Sequence, residues 1–276
     1  MATTSSQVGE YLRARRDVVQ PEDVGLVREP NRRVKGLRRD EVALLAGISA
    51  DYYLRLEQGR DHQPSEQVLQ SLGRALQLNE VAVGYLFQLA RPFRGTTAEQ
   101  TPDAVSPGIT RLFQRWTHTP AFVADSNLDV VISNALADKV GAGAMSVGTN
   151  RLLHLFNDVC RESDPGWRER AEELVAAFRL QGRPESARLQ KIVGNLSIQD
   201  PTFRVLWAKH DVQISSYGTC FEQVEPFGLL EFEWQNLEVP GHAGHTLTTL
   251  FAAPGTAAAG ALAFLSAQAN RLQTLN

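Results

Sequence analysis

The 276-residue chain is 43% hydrophobic and 21% charged, with a formal net charge of −3. That is the composition of a globular protein long enough for two cores. No run approaches the ~20 apolar residues that span a bilayer, and the N-terminus lacks the basic and apolar regions of a secretory signal, so no membrane role is expected.

Cys160 and Cys220 make no disulfide framework and read as two reduced thiols of a cytoplasmic protein. The small net charge hides an asymmetry. Up to Arg94 there are 14 Lys and Arg against 12 Asp and Glu, and after it 14 against 19. Between Arg28 and Arg39 lie six basic residues and one acid, a local patch of the kind that meets phosphate.

In chain order, Ser6 to Val18 reads as a helix with Val8, Leu12 and Tyr11 inward and Arg13, Arg15 and Arg16 outward. Pro21 breaks it, and 21–35 reads as a loop whose arginines are either phosphate contacts or solvated charge. Leu37 to Ala46 follows as a helix, with Leu37, Val42, Ala43 and Leu45 at near-helical spacing. Gly47 suits the left-handed residue of a tight turn, and Ser49 is a good N-cap. On the next helix Tyr53 and Leu56 share the inner face with Ile48, which turns Ala50, Asp51, Leu54 and Arg55 outward with Tyr52 at the border. Ser65 and Asn79 cap a fourth and a fifth helix, the last ending before Pro92. Residues 95–107 are polar and rich in breakers, a linker between domains 1–94 and 108–276.

The second half opens with a short helix from Thr110 to Thr117, then strand, Ser-Asn turn and strand over Ala121–Asn134. Helices are predicted over Arg151–Asp158, Trp167–Leu180, Pro184–Asn195 and Pro201–His210. The period then switches to two, giving four short strands over Val212–Tyr217, Thr219–Val224, Gly228–Leu237 and Thr246–Phe251, and Gly255 opens a terminal helix. The fold class that follows is an all-α five-helix N-terminal domain with a helix-turn-helix, plus an α+β C-terminal domain with one antiparallel sheet.

A helix-turn-helix places its second helix in the major groove. Ser49, Ala50, Asp51, Tyr52, Leu54 and Arg55 form the candidate reading face. Arg55 is placed to read a guanine edge and Asp51 to accept from a cytosine amino group. Arg32, Arg33, Lys35, Arg38, Arg39 and Arg60 are candidate contacts to a double-stranded DNA operator. Arg38 and Arg39 open a helix where positive charge conflicts with the dipole unless a phosphate lies near.

Leu45-Ala46-Gly47-Ile48-Ser49 and Leu56-Glu57-Gln58-Gly59 resemble the XRE-type helix-turn-helix. From Gly9 to Leu265 the chain resembles the MmyB-like transcription regulators. The matching pieces include Gly36-Leu37-Arg38-Arg39, Asn150-Arg151-Leu152-Leu153, Trp167, Val193-Gly194, Phe203, Leu206-Trp207-Ala208, His210-Asp211-Val212 and Pro240-Gly241. The resemblance implies a PAS-like ligand-binding domain that holds a fatty-acid-like molecule. Where the family often has His-Pro before a Gly, this chain has Glu225-Pro226-Phe227-Gly228.

The candidate site for a small apolar ligand is Trp207, His210 and Asp211, with Phe156, Phe203, Leu206 and Phe232 as apolar lining; plain core is the competing reading. A buried acyl chain gains ~0.8 kcal/mol per CH₂. No nucleophile elbow, phosphate loop or dinucleotide fingerprint is present, and no metal or cofactor is expected. The expectation is a homodimeric DNA-binding transcription regulator that senses a ligand. The alternative is a DNA-binding protein whose second domain is a protein–protein interaction module.

Overall fold

Three of the helices in the first half begin where the sequence supplies an N-capping side chain. In the computed structural model, which describes residues 4–29, 31–60, 63–91, 106–141, 143–242 and 244–273, the helices of this half are α1 (Thr4–Val18), α2 (Arg39–Ala46), α3 (Ala50–Glu57), α4 (Glu66–Ala75) and α5 (Glu80–Ala90). Ser49 Oγ accepts from Tyr52 N at 3.1 Å, Ser65 Oγ from Val68 N at 3.3 Å, and Asn79 Oδ1 from Ala82 N at 2.9 Å. Each satisfies an amide that the first helical turn leaves unpaired. Gly47 turns the chain from α2 to α3 at φ 67°, where a side chain would be strained. A Cβ on Gly9 would sit 2.3 Å from the Glu57 carbonyl oxygen, so glycine lets α1 lie against the end of α3.

Tyr11, Leu12, Leu37, Val42, Tyr53, Leu56, Leu69, Leu72, Leu76 and Leu86 form the buried interior of this unit. Three expectations change here. Leu45 is exposed, because Val42, Ala43 and Ala46 form the inner face of α2. At roughly 100° per residue, Leu45 falls on its flank. Arg16, expected outside, is buried. The segment expected as loop contains a short 3-10 turn over Pro21–Val24.

The chain divides into one unit of Met1–Ala98 with Val205–Gln213, and a second of Glu99–Arg204 with Ile214–Asn276. The expected linker 95–107 lies outside the described residues except for Ser106 and Pro107.

The second unit contains α6 (Pro107–Arg115), β1 (Ala121–Ala124), β2 (Val130–Ser133), α7 (Arg151–Leu155), α8 (Asp158–Ser163), α9 (Trp167–Gln181) and α10 (Ala187–Gln199). The start of α11 (Pro201–Ala208) follows, then β3 (Tyr217–Val224), β4 (Gly228–Glu238), β5 (Thr246–Phe251) and α12 (Ala257–Gln273). The sheet is antiparallel in the order β2-β1-β5-β4-β3, with Cys220 opposite Phe232, Trp234 opposite Leu250 and Val123 opposite Leu247. Phe122, Cys220, Phe232 and Leu250 point to one face, packed with Ala261 and Leu265 of α12. Ala121, Val123 and Leu247 point to the other, against Phe113 of α6.

This is the α+β architecture the pattern implied and the PAS-like one the resemblance implied, with two local corrections. Arg151–Asp158 is not one helix: Asn157 caps α8 by accepting from Cys160 N at 2.7 Å, which ends α7. Val212–Ser216 is not a strand. It has no regular secondary structure, and its end is tied to Asn236, through Asn236 Nδ2 to Ser215 O at 2.8 Å and Asn236 N to Ser216 O at 2.7 Å.

Candidate functional site

On α3, Ala50, Asp51 and Arg55 are exposed and Tyr52 and Leu54 half-buried, while Tyr53, Leu56 and Glu57 point inward. Arg55 pairs with Asp51 one turn back, and its guanidinium carbon lies 5.7 Å from the Tyr52 ring centre. An exposed i,i+4 pair contributes only about 0.3–0.5 kcal/mol, so Arg55 is free to exchange it for a base edge.

Glu57 clamps the helix pair. Its Oε1 accepts from Arg16 Nε and its Oε2 from Arg39 Nε, both at 2.7 Å, and Arg16 also donates to the Leu37 carbonyl at 2.8 Å. Burial pushes the Glu57 carboxyl up, but its two arginines outweigh this and hold it below the usual carboxylate range. Glu57 was legible only as part of a motif. Its position four residues after Tyr53 was the signal that it points inward.

The basic run separates into two groups. Arg32 is drawn into the fold: its side chain is 2% exposed, its guanidinium donates to both Glu41 oxygens at 2.6 and 2.5 Å, and to Gly36 O at 2.6 Å. Glu41 in turn accepts from Arg38 N at 2.6 Å and caps α2, and its pKa is lowered, chiefly by Arg32. This guanidinium has little left for phosphate. Arg33, Arg38 and Arg39 instead line an open depression whose floor includes Arg16. Arg38 pairs with Glu29 at 2.7 Å, and Lys35 and Arg60 are exposed.

In the second unit a cavity of about 120 Å³ lies against the sheet. One water needs only about 10–15 Å³ on this measure, so the space suits a larger guest. The wall from α9 is Arg170, Glu173, Leu174, Ala177 and Gln181, a stripe at spacings of three and four. Phe122, Leu155, Trp234 and Leu250 supply apolar surface, and Ser215, Asn236 and Thr248 a polar edge. Thr248 Oγ1 donates to Asn236 Oδ1 at 2.6 Å.

Charged groups gather in the wall near Glu222. Arg170 Nη2 and Arg151 Nη2 stand 3.7 and 3.8 Å from Glu222 Oε1, and Arg170 Nη1 pairs with Asp164 at 2.8 Å. Burial lowers the Arg151 pKa, with Glu222 opposing. Burial, then the two arginines, lowers His154 to about 4, so the ring is neutral at physiological pH. Burial, then Glu222, raises the Cys220 thiol to about 12, far from a nucleophilic thiolate.

The predicted ligand residues fall elsewhere. Phe156 packs edge-on against Phe203 and Trp167, each with ring centres 5.4 Å apart. Phe232 belongs to the sheet core. Leu206, Trp207, His210 and Asp211 belong to the first unit, where Asp211 pairs with Arg15 and the His210 ring lies 6.3 Å from that of Tyr11. None of the seven lines the cavity. The residues that do were readable by period. Glu222 occupies an inward strand position between Cys220 and Val224, and Arg151 sits in the Asn-Arg-Leu-Leu run already quoted.

Residues 7–84 match the model of a helix-turn-helix domain, and residues 105–265 match that of the MmyB-like transcription regulator ligand binding domain. No curated protein matches the chain. A DNA-binding unit and a ligand-binding unit in one chain define a DNA-binding transcription regulator. With more than half its length inside the second match, the chain belongs to the MmyB-like transcription regulators.

Proposed function

We propose that the protein is a cytoplasmic, homodimeric regulator that reads its operator with α3 and responds to a small, mostly apolar, fatty-acid-like molecule held in the cavity of the second unit. The observation that carries this reading is the cavity itself: apolar walls with a few convergent polar groups, the usual make-up of a small-molecule site. Ser49, Ala50, Asp51, Tyr52, Leu54 and Arg55 face bases; Arg33, Lys35, Arg38, Arg39 and Arg60 face phosphate, with Arg32 holding the loop in shape. A pair of half-sites about one helical turn apart supplies the specificity that a single reading helix lacks.

Regulation follows from differential affinity. Ligand shifts the protein toward whichever arrangement binds it better, and DNA affinity changes by that difference. Val205–Gln213 suits this coupling, because the chain runs from α11 through the first unit and returns at Ile214 to Ser215 in the cavity wall.

Native mass spectrometry of protein purified without added ligand tests the reading. A retained small apolar molecule is expected. A bare mass, together with no uptake of acyl probes, favours an interaction module instead.

A further inference from the structure

Glu222 lines the cavity and is 6% exposed, and its Oε1 is buried without a hydrogen-bond partner among the described residues. A buried acceptor without a donor is costly. Arg170 Nη2 and Arg151 Nη2 come only to 3.7 and 3.8 Å from it, outside hydrogen-bond reach. Their Nη1 atoms are held elsewhere: Arg170 Nη1 donates to Asp164 at 2.8 Å and to Phe221 O at 3.2 Å, and Arg151 Nη1 to Ala144 O at 3.2 Å. The second Glu222 oxygen packs against Gly141, where an added Cβ would meet it at 2.6 Å. Oε1 is therefore the oxygen left for a guest.

The charges around this oxygen are already balanced. Arg151 of α7 and Arg170 of α9 are the cations, and Glu222 of β3 and Asp164, just before α9, are the anions. The other titratable groups here add no positive charge at neutral pH. Burial lowers His154 of α7 to about 4, raises the Cys220 thiol of β3 to about 12 and raises the Cys160 thiol of α8. Glu173 of α9 adds a further, half-buried carboxylate to the wall. An ionised guest carboxylate would thus be an uncompensated negative charge beside Glu222, in a site with little water to screen it.

A carboxyl that arrives with one proton meets these conditions. Its O–H supplies the donor that Glu222 Oε1 lacks, its second oxygen accepts from Nη2 of Arg170 or Arg151, and the site gains no charge. Two carboxyls placed together hold one proton between them in a short, charge-assisted bond. The alkyl tail has Phe122, Leu155, Trp234 and Leu250 to cover it, on α7 and the sheet rather than on α9 where Glu173 stands. On the reading that this cavity holds the fatty-acid-like molecule, we infer that the ligand binds as the acid: its carboxyl takes up one proton from solvent on entry and shares it with Glu222 Oε1. The complex then holds one proton more than its separate parts, so affinity is lost as pH rises.

Isothermal titration calorimetry of the full chain with decanoate and with decanamide, from pH 6 to pH 8, tests this. Decanamide is the neutral counterpart, with an N–H to donate, a carbonyl to accept and no proton to gain. Free decanoate is ionised throughout, as a carboxyl with an ordinary pKa of about 4.3 is. Its affinity is expected to fall about tenfold for each pH unit, the slope for one proton taken up, while that of decanamide stays within about twofold. Repeating the titration at pH 7 in buffers of different ionisation enthalpy should count one proton taken up with decanoate and none with decanamide. Glu222→Gln should flatten the decanoate profile and, by removing the competing anion, tighten decanoate binding at pH 8. Should that variant fail to fold, the comparison of the two ligands on the parent decides alone. A flat decanoate profile, a slope that decanamide shares, or one that survives Glu222→Gln would overturn the inference and leave the sensor reading standing. No heat from either ligand, on protein whose native mass shows no bound molecule, would sink both.

Discussion

Glu57 shows how one side chain fixes the DNA-binding unit. It is buried, and it joins α1 through Arg16 and α2 through Arg39 to its own helix, α3. Removing one partner of a buried pair leaves the other charge uncompensated, which costs about 3–5 kcal/mol. Glu57→Gln should therefore lower unfolding stability by about 3 kcal/mol or more, measured by urea denaturation at pH 7. The pH dependence has a fixed sign. Because the folded carboxyl is held below its ordinary 4.5, its contribution is complete above that value and is lost as pH falls from there through the lower folded value. Stability of the parent protein should drop below pH 4.5 more steeply than that of Glu57→Gln. Equal slopes would mean that Glu57 is not the titrating group. His154 works over a different range: its lowered value makes the fold lose stability as pH falls from 6.5 toward about 4.

Among the elements, the proposed reading divides the work of binding between α3 and the arginines that precede it. Arg55 stands on the exposed face of α3 and gives up only a weak partner, whereas Arg38 and Arg39 edge a basic depression. If Arg55 reads a base, Arg55→Ala costs about 1–3 kcal/mol and relaxes preference at one operator position. Losing Arg38 and Arg39 should instead weaken all sequences alike and reduce the salt slope by about one per lost phosphate contact. Fluorescence anisotropy over a salt series, on an operator and its single-base variants, separates the two. A uniform loss on Arg55→Ala would move that residue to the phosphate group.

The elements also mark what the sequence made legible. Caps at Ser49, Ser65 and Asn79, the left-handed Gly47 and the alternation in β3, β4 and β5 are local chemistry, so they could be read directly. Whether an arginine faces solvent or a carboxylate depends on residues far along the chain. Arg16 finds Glu57 41 positions away, and Arg170 meets Glu222 across the second unit. The cavity was missed for the same reason. The Phe203–Asp211 segment has the composition of a ligand site, while the walls of the cavity come from α7, α9 and the sheet, which lie far apart along the chain.

At the scale of the whole molecule, the problem is how occupancy of the cavity reaches α3. The chain itself supplies one route. Ser215 is in the cavity wall and is held by Asn236. Four residues earlier, Asp211 pairs with Arg15 of α1, and the neighbouring Arg16 holds Glu57 on the reading helix. The prediction is that a displacement of Ser215 by ligand passes along the backbone to the Asp211–Arg15 pair, and from α1 to α3. Coupling has a defined size: the factor by which ligand changes operator affinity must equal the factor by which operator changes ligand affinity. Asp211→Asn removes the charge without touching the cavity or the reading face. It should leave both separate affinities within about twofold and bring a coupling factor that typically lies between about 5 and 150 close to one. The measurement is a four-state cycle, with operator anisotropy taken with and without an added acyl probe, in parent and variant. An unchanged coupling factor would show that the signal bypasses α1.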